Sequence, residues 1–361
     1  MTMQADAILS AFTTELVRYW IPRLVADGVD SSDIEAVRAQ VGTWEDWPRT
    51  WAQRGAEHLA WARQCLAEGH RLTAGEALAR ASLCYHFGQI ITYNDPATKA
   101  DLQRLKVDAF REAAALLRPP AERVEVPWRT LTLPGYLRLP EGVRPAPCVV
   151  LIPGLDATKE DFHSFTELCL RRGLGTFAFD GPGQGEVRPS SPLVDGYEGS
   201  ILAAVSALAG RPEIDPERIA LLGRSLGGHY AMRAAAADAR IAAAVVFGGF
   251  HDLTHWEEIP PLTREGFRQA TGAATEEEAR RLLASVNLEG ILGYITCPVL
   301  VVHGKRDAII PWQQAVRIAE ELPAGATLWL DEDGVHCCHN HATRYRPAMA
   351  DWLAKTLRVK D

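Results

Sequence analysis

No stretch of this chain approaches the roughly 18 consecutive apolar residues that a membrane-spanning helix needs, so no span is expected. No block of Lys and Arg stands out, and the formal net charge is −8, which disfavours a nucleic-acid surface. The first residues, "MTMQADAILSAFTTELVRYWIPRL", lack a basic segment followed by an unbroken apolar run. They read as an amphipathic helix rather than a signal peptide. Cysteine is sparse and odd in number, seven in 361 residues, and scattered apart from the Cys337-Cys338 pair. That argues against a disulfide framework and fits reduced thiols in a cytoplasm. No glycine-rich loop is followed by Lys-Ser or Lys-Thr, so a nucleotide-binding P-loop is not expected. What is left is a soluble globular chain, long enough for one large domain or two of ordinary size.

Two halves of the chain follow different patterns. Residues 1–118 carry apolar residues at helical spacing, as in "WAQRGAEHLAWARQCLAEG" and "AGEALARASLCYHFGQIITY". An all-helical N-terminal domain is expected there, followed by a linker at "RPPAERV". Residues 119–361 read as a second domain. "RTLTLPGYLRLP" alternates like a strand pair. "PCVVLIPG", "LGTFAFDGPG", "RIALLGRS", "IAAAVVFGG", "CPVLVVHG" and "ATLWLDEDG" are short apolar runs that end in turn residues, with helical segments between most of them. This is the pattern of an α/β fold with a mostly parallel sheet covered on both faces. Sites in such sheets form at the carboxyl ends of strands. Residues 250–292 interrupt the rhythm and are expected to be a mostly helical excursion over the site.

Within "LLGRSLGGHYAMRAAAA", Gly223, Ser225 and Gly227 spell G-x-S-x-G between an apolar strand and an Ala-rich helix. That context is a nucleophile elbow, which holds the serine above the sheet at a helix N-terminus. A serine nucleophile needs a base, and the base needs an orienting carboxylate. Asp307 follows the apolar run "VLVVHG", and His336 follows "TLWLDEDGV". Their order along the chain, Ser then Asp then His, suits this fold. The elbow pattern also places one anion-stabilising N–H at Leu226. A second is expected at Leu155, just past Gly154 in "IPGLDATKED". "DGPGQGE" reads as a tight loop shaping the pocket floor. Glu186, Glu257 and Glu258 are possible extra acids, though solvated side chains are the plainer reading.

"DEDGVHCCHNH" packs three histidines and two cysteines into eleven positions, from 331 to 341. Structural zinc sites use spaced pairs, and adjacent cysteines point apart. The metal reading is therefore the weaker one. The stretch is expected to supply His336 from a loop, with Cys337, Cys338 and His339 beginning the last helix. His339 and His341 are expected to face loop or solvent. No metal or organic cofactor is required.

The pieces "LIPGLDATKED", "FDGPGQGE", "LGRSLGGHYA" and "EDGVHCCHN" together resemble the α/β-hydrolases. Within them they resemble the branch of the 2,6-dihydroxypseudooxynicotine hydrolases, which cleave a carbon–carbon bond next to a carbonyl. The resemblance extends over nearly the whole chain. It implies Ser225, Asp307 and His336 as a triad, and a helical N-terminal domain that caps the site. It implies a homodimer but does not fix the small-molecule substrate; because a carbanion can leave only if an adjacent carbonyl or phenol-type ring delocalises it, carbon–carbon cleavage would call for a 1,3-dicarbonyl or acylphenol. Tyr85, His86, Phe250 and Trp256 are candidate pocket walls, though ordinary core packing is the plainer reading of each. An additional acid of that branch would fall near Glu257 and Glu258. The same triad would equally serve a carboxylesterase.

Overall fold

The computed structural model describes residues 20–193, 196–323 and 325–359. The helix expected over the first residues lies outside them as far as residue 19. The chain divides into two compact units, Met1–Pro120 and Ala121–Asp361.

In the first unit the described residues form α1 (Ile21–Asp27), α2 (Ser31–Arg38), α3 (Trp47–Ala67), α4 (Arg71–Ile90) and α5 (Pro96–Ala114). Asp30 caps α2 by accepting from the Ser32 N–H at 2.8 Å. Asp95 caps α5 by accepting from the Thr98 N–H at 3.0 Å, and Pro96 follows where no N–H is needed. A Cβ on Gly55 would lie 2.5 Å from the Tyr85 ring, so α3 and α4 can meet there because residue 55 is glycine. Trp20, Trp47, Trp51 and Phe87 stack in a chain of tilted and edge-on rings, with centroids 5.8, 5.6 and 6.0 Å apart in turn. Asp33 is buried and takes Arg54 and His58 on its two oxygens, at 2.5 and 2.7 Å.

The second unit holds β1 (Glu122–Trp128), β2 (Leu131–Arg138), β3 (Ala146–Ile152), β4 (Gly175–Phe179), β5 (Ile214–Arg224), β6 (Ala243–Phe247), β7 (Val299–Gly304) and β8 (Thr327–Asp331). They form one sheet in the order β1-β2-β4-β3-β5-β6-β7-β8. Strands β3 to β8 run parallel, and β2 joins β4 antiparallel. Helices α6 (His163–Leu170), α7 (Glu198–Ala209), α8 (Leu226–Ala237), α9 (Pro261–Thr271), α10 (Glu276–Leu282), α11 (Gln313–Glu321) and α12 (Ala342–Thr356) lie between or after the strands. Every residue of β3, β4, β6 and β7 is buried, as a sheet covered on both faces demands. Alternate residues enter two separate cores. Val150, Leu221, Val246 and Val301 enter one, and Val149, Leu222, Val245 and Val302 the other.

Three local expectations need correction. "RTLTLPGYLRLP" is not a strand pair: it holds the single strand β2, whose hairpin partner is β1. The linker reading of "RPPAERV" is also too long, because β1 begins at Glu122. Alternation in a hairpin strand does not reveal which neighbour it pairs with, and a charged edge strand lacks the apolar run that marks the others. Finally, the last helix starts at Ala342, not at Cys337. Cys337 and Cys338 both sit in the left-handed region, at φ 51° and 43°, which a regular helix cannot include.

Candidate active site

The site assembles from the loops that follow β3, β5, β7 and β8. Ser225 links β5 to α8 at φ 55°, ψ −120°, a conformation that costs a non-glycine residue about 1–3 kcal/mol. The surroundings enforce it. The Ser225 N–H donates to the Phe247 carbonyl at 2.8 Å, and its carbonyl accepts from the Gly228 N–H at 2.8 Å. A Cβ on Gly223 would lie 2.0 Å from the Gly227 carbonyl oxygen, and one on Gly227 would lie 2.2 Å from that of Ile152. Both flanking glycines are therefore required by close backbone contact. Gly154 crosses over the serine in the same way. Its Cβ would meet the Arg224 carbonyl at 3.1 Å and the Ser225 Cβ at 3.3 Å. The N–H groups of Leu155 and Leu226 have no hydrogen-bond partner among the described residues.

Asp307 and His336 come together across a gap of 29 residues. The His336 Nδ1–H donates to Asp307 Oδ2 at 2.7 Å. The second carboxylate oxygen accepts from the N–H groups of Ile309 and Ile310, at 2.8 and 2.9 Å. His303 Nε2 adds a contact of 3.3 Å to Oδ2 while donating to the Ile310 carbonyl at 3.0 Å. Burial alone would raise the Asp307 pKa. His336 and His303 outweigh it and hold the carboxyl well below the usual carboxylate range. Burial would likewise lower His336, yet the Asp307 carboxylate more than offsets this and holds the imidazole well above its ordinary value. An imidazole fixed through Nδ1 on a buried carboxylate is left with Nε2 as its working nitrogen.

The remaining candidates sit as follows. Phe250 is fully buried and stacks on His229 at 5.0 Å. Burial pushes His229 down to about 3, so it is neutral and donates to the Phe250 carbonyl at 3.2 Å. Trp256 is buried against Phe267, and its indole N–H donates to Glu276 at 3.2 Å. Tyr85 and His86 belong to the first unit, where Tyr85 packs with Ala81, Leu102 and Ala109, and His86 lies edge-on to Phe87. Glu257 and Glu258 both face solvent, and the Glu257 side chain, 73% exposed, pairs with Arg280. Glu186 is not solvated as the sequence suggests. It meets the buried Lys159 ammonium at 2.7 Å and Arg123 at 2.9 Å.

The histidine-rich stretch resolves into separate tasks. His341 donates through Nδ1 to Asp331 at 2.6 Å. His339 faces neither loop nor solvent; it is buried edge-on to Phe247, with Arg346 on its Nδ1 at 3.3 Å. Cys337 is pressed against the loop after β6, where a Cβ on Gly248 would lie 2.7 Å from its sulfur. Elsewhere, Glu160, Asp180 and Glu186 converge in a way that could hold a cation. The Lys159 ammonium already fills that centre, at 2.6, 2.6 and 2.7 Å from the three carboxylates.

Two neighbours of the site escaped the sequence reading. His303 lies inside an apolar strand, where a core residue is the default expectation. His255 is buried beside the Ile309 carbonyl and within the field of Asp307, and burial lowers its pKa. It adjoins the "WEE" run that drew attention to Trp256, Glu257 and Glu258, and no spacing rule singles it out.

Comparison with known proteins agrees with this architecture. The chain is 39% identical to a 2,6-dihydropseudooxynicotine hydrolase of Paenarthrobacter nicotinovorans, over 93% of this chain and 91% of that one. It is 33% identical to a 20-hydroxy-prefusarin hydrolase of Gibberella moniliformis, over 74% and 75% of the two chains. The crystal structure of a 2,6-dihydroxy-pseudo-oxynicotine hydrolase superposes with a TM-score of 0.88 at 38% identity, covering 93% of this chain and 95% of that one. The family described as Esterase FrsA-like matches residues 21–358. With an eight-stranded, mostly parallel sheet and relatives of this kind, the protein is a hydrolase of the α/β-hydrolase type, and it belongs to the FrsA-like esterase family.

Proposed function

We propose that the chain is a serine hydrolase in which Ser225, His336 and Asp307 act as a catalytic triad. The observation that carries this reading is the 2.7 Å bond from His336 to a buried, ionised Asp307, two strands away from the Ser225 elbow in the same sheet. His336 Nε2 takes the Ser225 proton as Oγ attacks the substrate carbonyl carbon. Asp307 holds the imidazole in the productive tautomer and stabilises its charged form. The oxygen that becomes negative lies against the Leu155 and Leu226 N–H groups. Collapse of the tetrahedral intermediate breaks the bond to the leaving group, which takes the proton from His336. Water, with His336 again as base, then releases the acid and frees Ser225.

The leaving group is a carbon stabilised by an adjacent carbonyl or phenol-type ring, so the substrate is an aromatic 1,3-dicarbonyl-like compound. The hydrolase relative at 39% identity supports this. A second reading, carboxylester cleavage by the same triad, is supported by the exposure of Glu257 and Glu258, where the extra acid of that branch would fall. A cytoplasmic setting is supported by the seven free cysteines, and a homodimer by the resemblance. Among the described residues, no helix is long and apolar enough to cross a membrane.

A paired assay tests the reading. Turnover of a short p-nitrophenyl ester and of an aromatic 1,3-diketone is followed with the wild type and with Ser225→Ala. Much higher kcat/KM on the diketone supports carbon–carbon cleavage. Turnover of the ester alone makes the protein an esterase. Activity that survives Ser225→Ala overturns the triad.

A further inference from the structure

We infer that Gln184 is a positioning residue that aims the Leu155 N–H at the developing oxyanion. This rests on the serine-hydrolase reading above and deepens it. Gln184 stands in the loop after β4 and is buried to 2% exposure. Its Nε2 donates to two successive carbonyls of the loop after β3, Pro153 at 2.9 Å and Gly154 at 2.8 Å. Its Oε1 accepts from the Gly181 N–H at 3.2 Å and from the Tyr197 hydroxyl at 2.6 Å. Two carbonyls on one side and two donors on the other leave the amide a single orientation. All four of its hydrogen-bonding positions are used.

The consequence follows from peptide geometry. The Gly154–Leu155 bond is not among the cis peptides of the described residues. In a trans peptide the carbonyl of one residue and the N–H of the next point in opposite directions within one plane. Gln184 holds the Gly154 carbonyl, so the Leu155 N–H must point away from Gln184. That N–H has no partner among the described residues, and Gly154 passes so near the nucleophile that a Cβ on it would lie 3.3 Å from the Ser225 Cβ. A donor left unpaired beside the nucleophile, with its peptide plane locked from behind, is what a preorganised oxyanion site requires.

The rest of the loop is held by different means. The Lys159 N–H donates to Asp180 at 2.9 Å, and the Lys159 ammonium meets Glu160, Asp180 and Glu186. Asp161 pairs with Arg224, the residue before the nucleophile, at 2.5 Å. These contacts fix where the loop lies. Gln184 alone among them binds the carbonyls of the peptides at Gly154, and so fixes how that plane is turned.

The test compares Gln184→Met, which removes both donors at similar volume, with Tyr197→Phe, which leaves the glutamine but frees its Oε1 of the hydroxyl. Each is assayed for kcat and KM on the p-nitrophenyl ester. Each is also assayed for inhibition by an aryl trifluoromethyl ketone, whose adduct with serine carries a negative oxygen, and by the matching aryl methyl ketone. Gln184→Met should lower kcat by about 10–100-fold with KM within about threefold, somewhat less than outright loss of an oxyanion donor. Trifluoromethyl ketone affinity should fall by the same factor as kcat, and methyl ketone affinity should stay. Tyr197→Phe should move the same two readouts in the same direction by a smaller factor. The inference is overturned if folded Gln184→Met keeps kcat and trifluoromethyl ketone affinity. It is equally overturned if KM and Tm change while trifluoromethyl ketone affinity does not, the pattern of a merely structural residue. If Gln184→Met does not fold, Tyr197→Phe decides by the same criteria. Activity in Ser225→Ala would instead refute the triad itself, a failure distinct from this one.

Discussion

Replacing Asp307 with Asn should stop turnover without dismantling the site. The Ile309 and Ile310 N–H groups both donate to Oδ1, and an Asn carbonyl oxygen accepts them equally well. The change falls on the other atom. Where Oδ2 now accepts from His336 Nδ1, the Asn amide would offer a donor. His336 must then present an unprotonated Nδ1 and carry its proton on Nε2, the wrong tautomer for taking a proton from Ser225. A change of this kind lowers kcat on the order of 10⁴-fold, about 5 kcal/mol on the barrier. The pH profile supplies an independent readout. With His336 as the proposed base, the active form carries it deprotonated, so kcat/KM should rise with pH through its pKa. In the wild type that rise should lie above the ordinary histidine value, because Asp307 raises His336 against the lowering effect of burial. In Asp307→Asn the carboxylate is gone and burial acts alone, so the rise moves to lower pH. Stability has its own sign. The raised His336 contributes below its unfolded pKa and loses that contribution as pH rises through the folded one. The lowered Asp307 contributes above its unfolded pKa and loses it in acid. The stability gap between the two proteins should therefore be widest between about pH 4 and 6.5. The measurements are stopped-flow ester hydrolysis and urea denaturation across pH. A folded Asp307→Asn that keeps kcat within tenfold, or whose acidic limb stays in place, refutes the assigned role.

Other expectations follow from the same geometry. Gly227→Ala would place a Cβ 2.2 Å from the Ile152 carbonyl oxygen, so urea denaturation should show a loss of about 2–3 kcal/mol; under about 1 would mean that the elbow backbone can shift freely. Lys159→Met removes the ammonium on which Glu160, Asp180 and Glu186 converge and leaves Arg123 on Glu186, and urea denaturation at neutral pH should show a loss of about 3–5 kcal/mol; under about 1 would mean that the cluster does not depend on the ammonium. Glu257→Gln with Glu258→Gln should leave kcat/KM within twofold on both ester and diketone, because both side chains face solvent. A large loss on the diketone alone would place an acid of that pair in carbon–carbon cleavage.

Much of this protein is determined by sequence-local physics. Six of the eight strands announce themselves as apolar runs; four of them, β3, β4, β6 and β7, are buried throughout, and a strand buried on both faces has no polar side to show. The elbow is legible because its requirement is local: only glycine on both sides of Ser225 allows backbone atoms within contact distance. Asp307 and His336 are legible because they follow strands in the right order. What the tertiary structure alone decides is which groups meet across long separations. Gln184 is one residue of a glycine-rich turn until folding sets it behind the Gly154 carbonyl, 30 residues away in sequence. Lys159 is one charged residue of a loop until three carboxylates close around it. Glu186 and Glu257 look alike on paper, yet one is drawn into that ion cluster and the other stays in water. Cys337 and Cys338 look like the start of a helix, but Cys337 is packed against the loop after β6 and both residues turn left-handed instead. Local pattern carries the backbone's own needs, whereas the partner of a charge or an amide is chosen by packing between segments that no window of sequence contains.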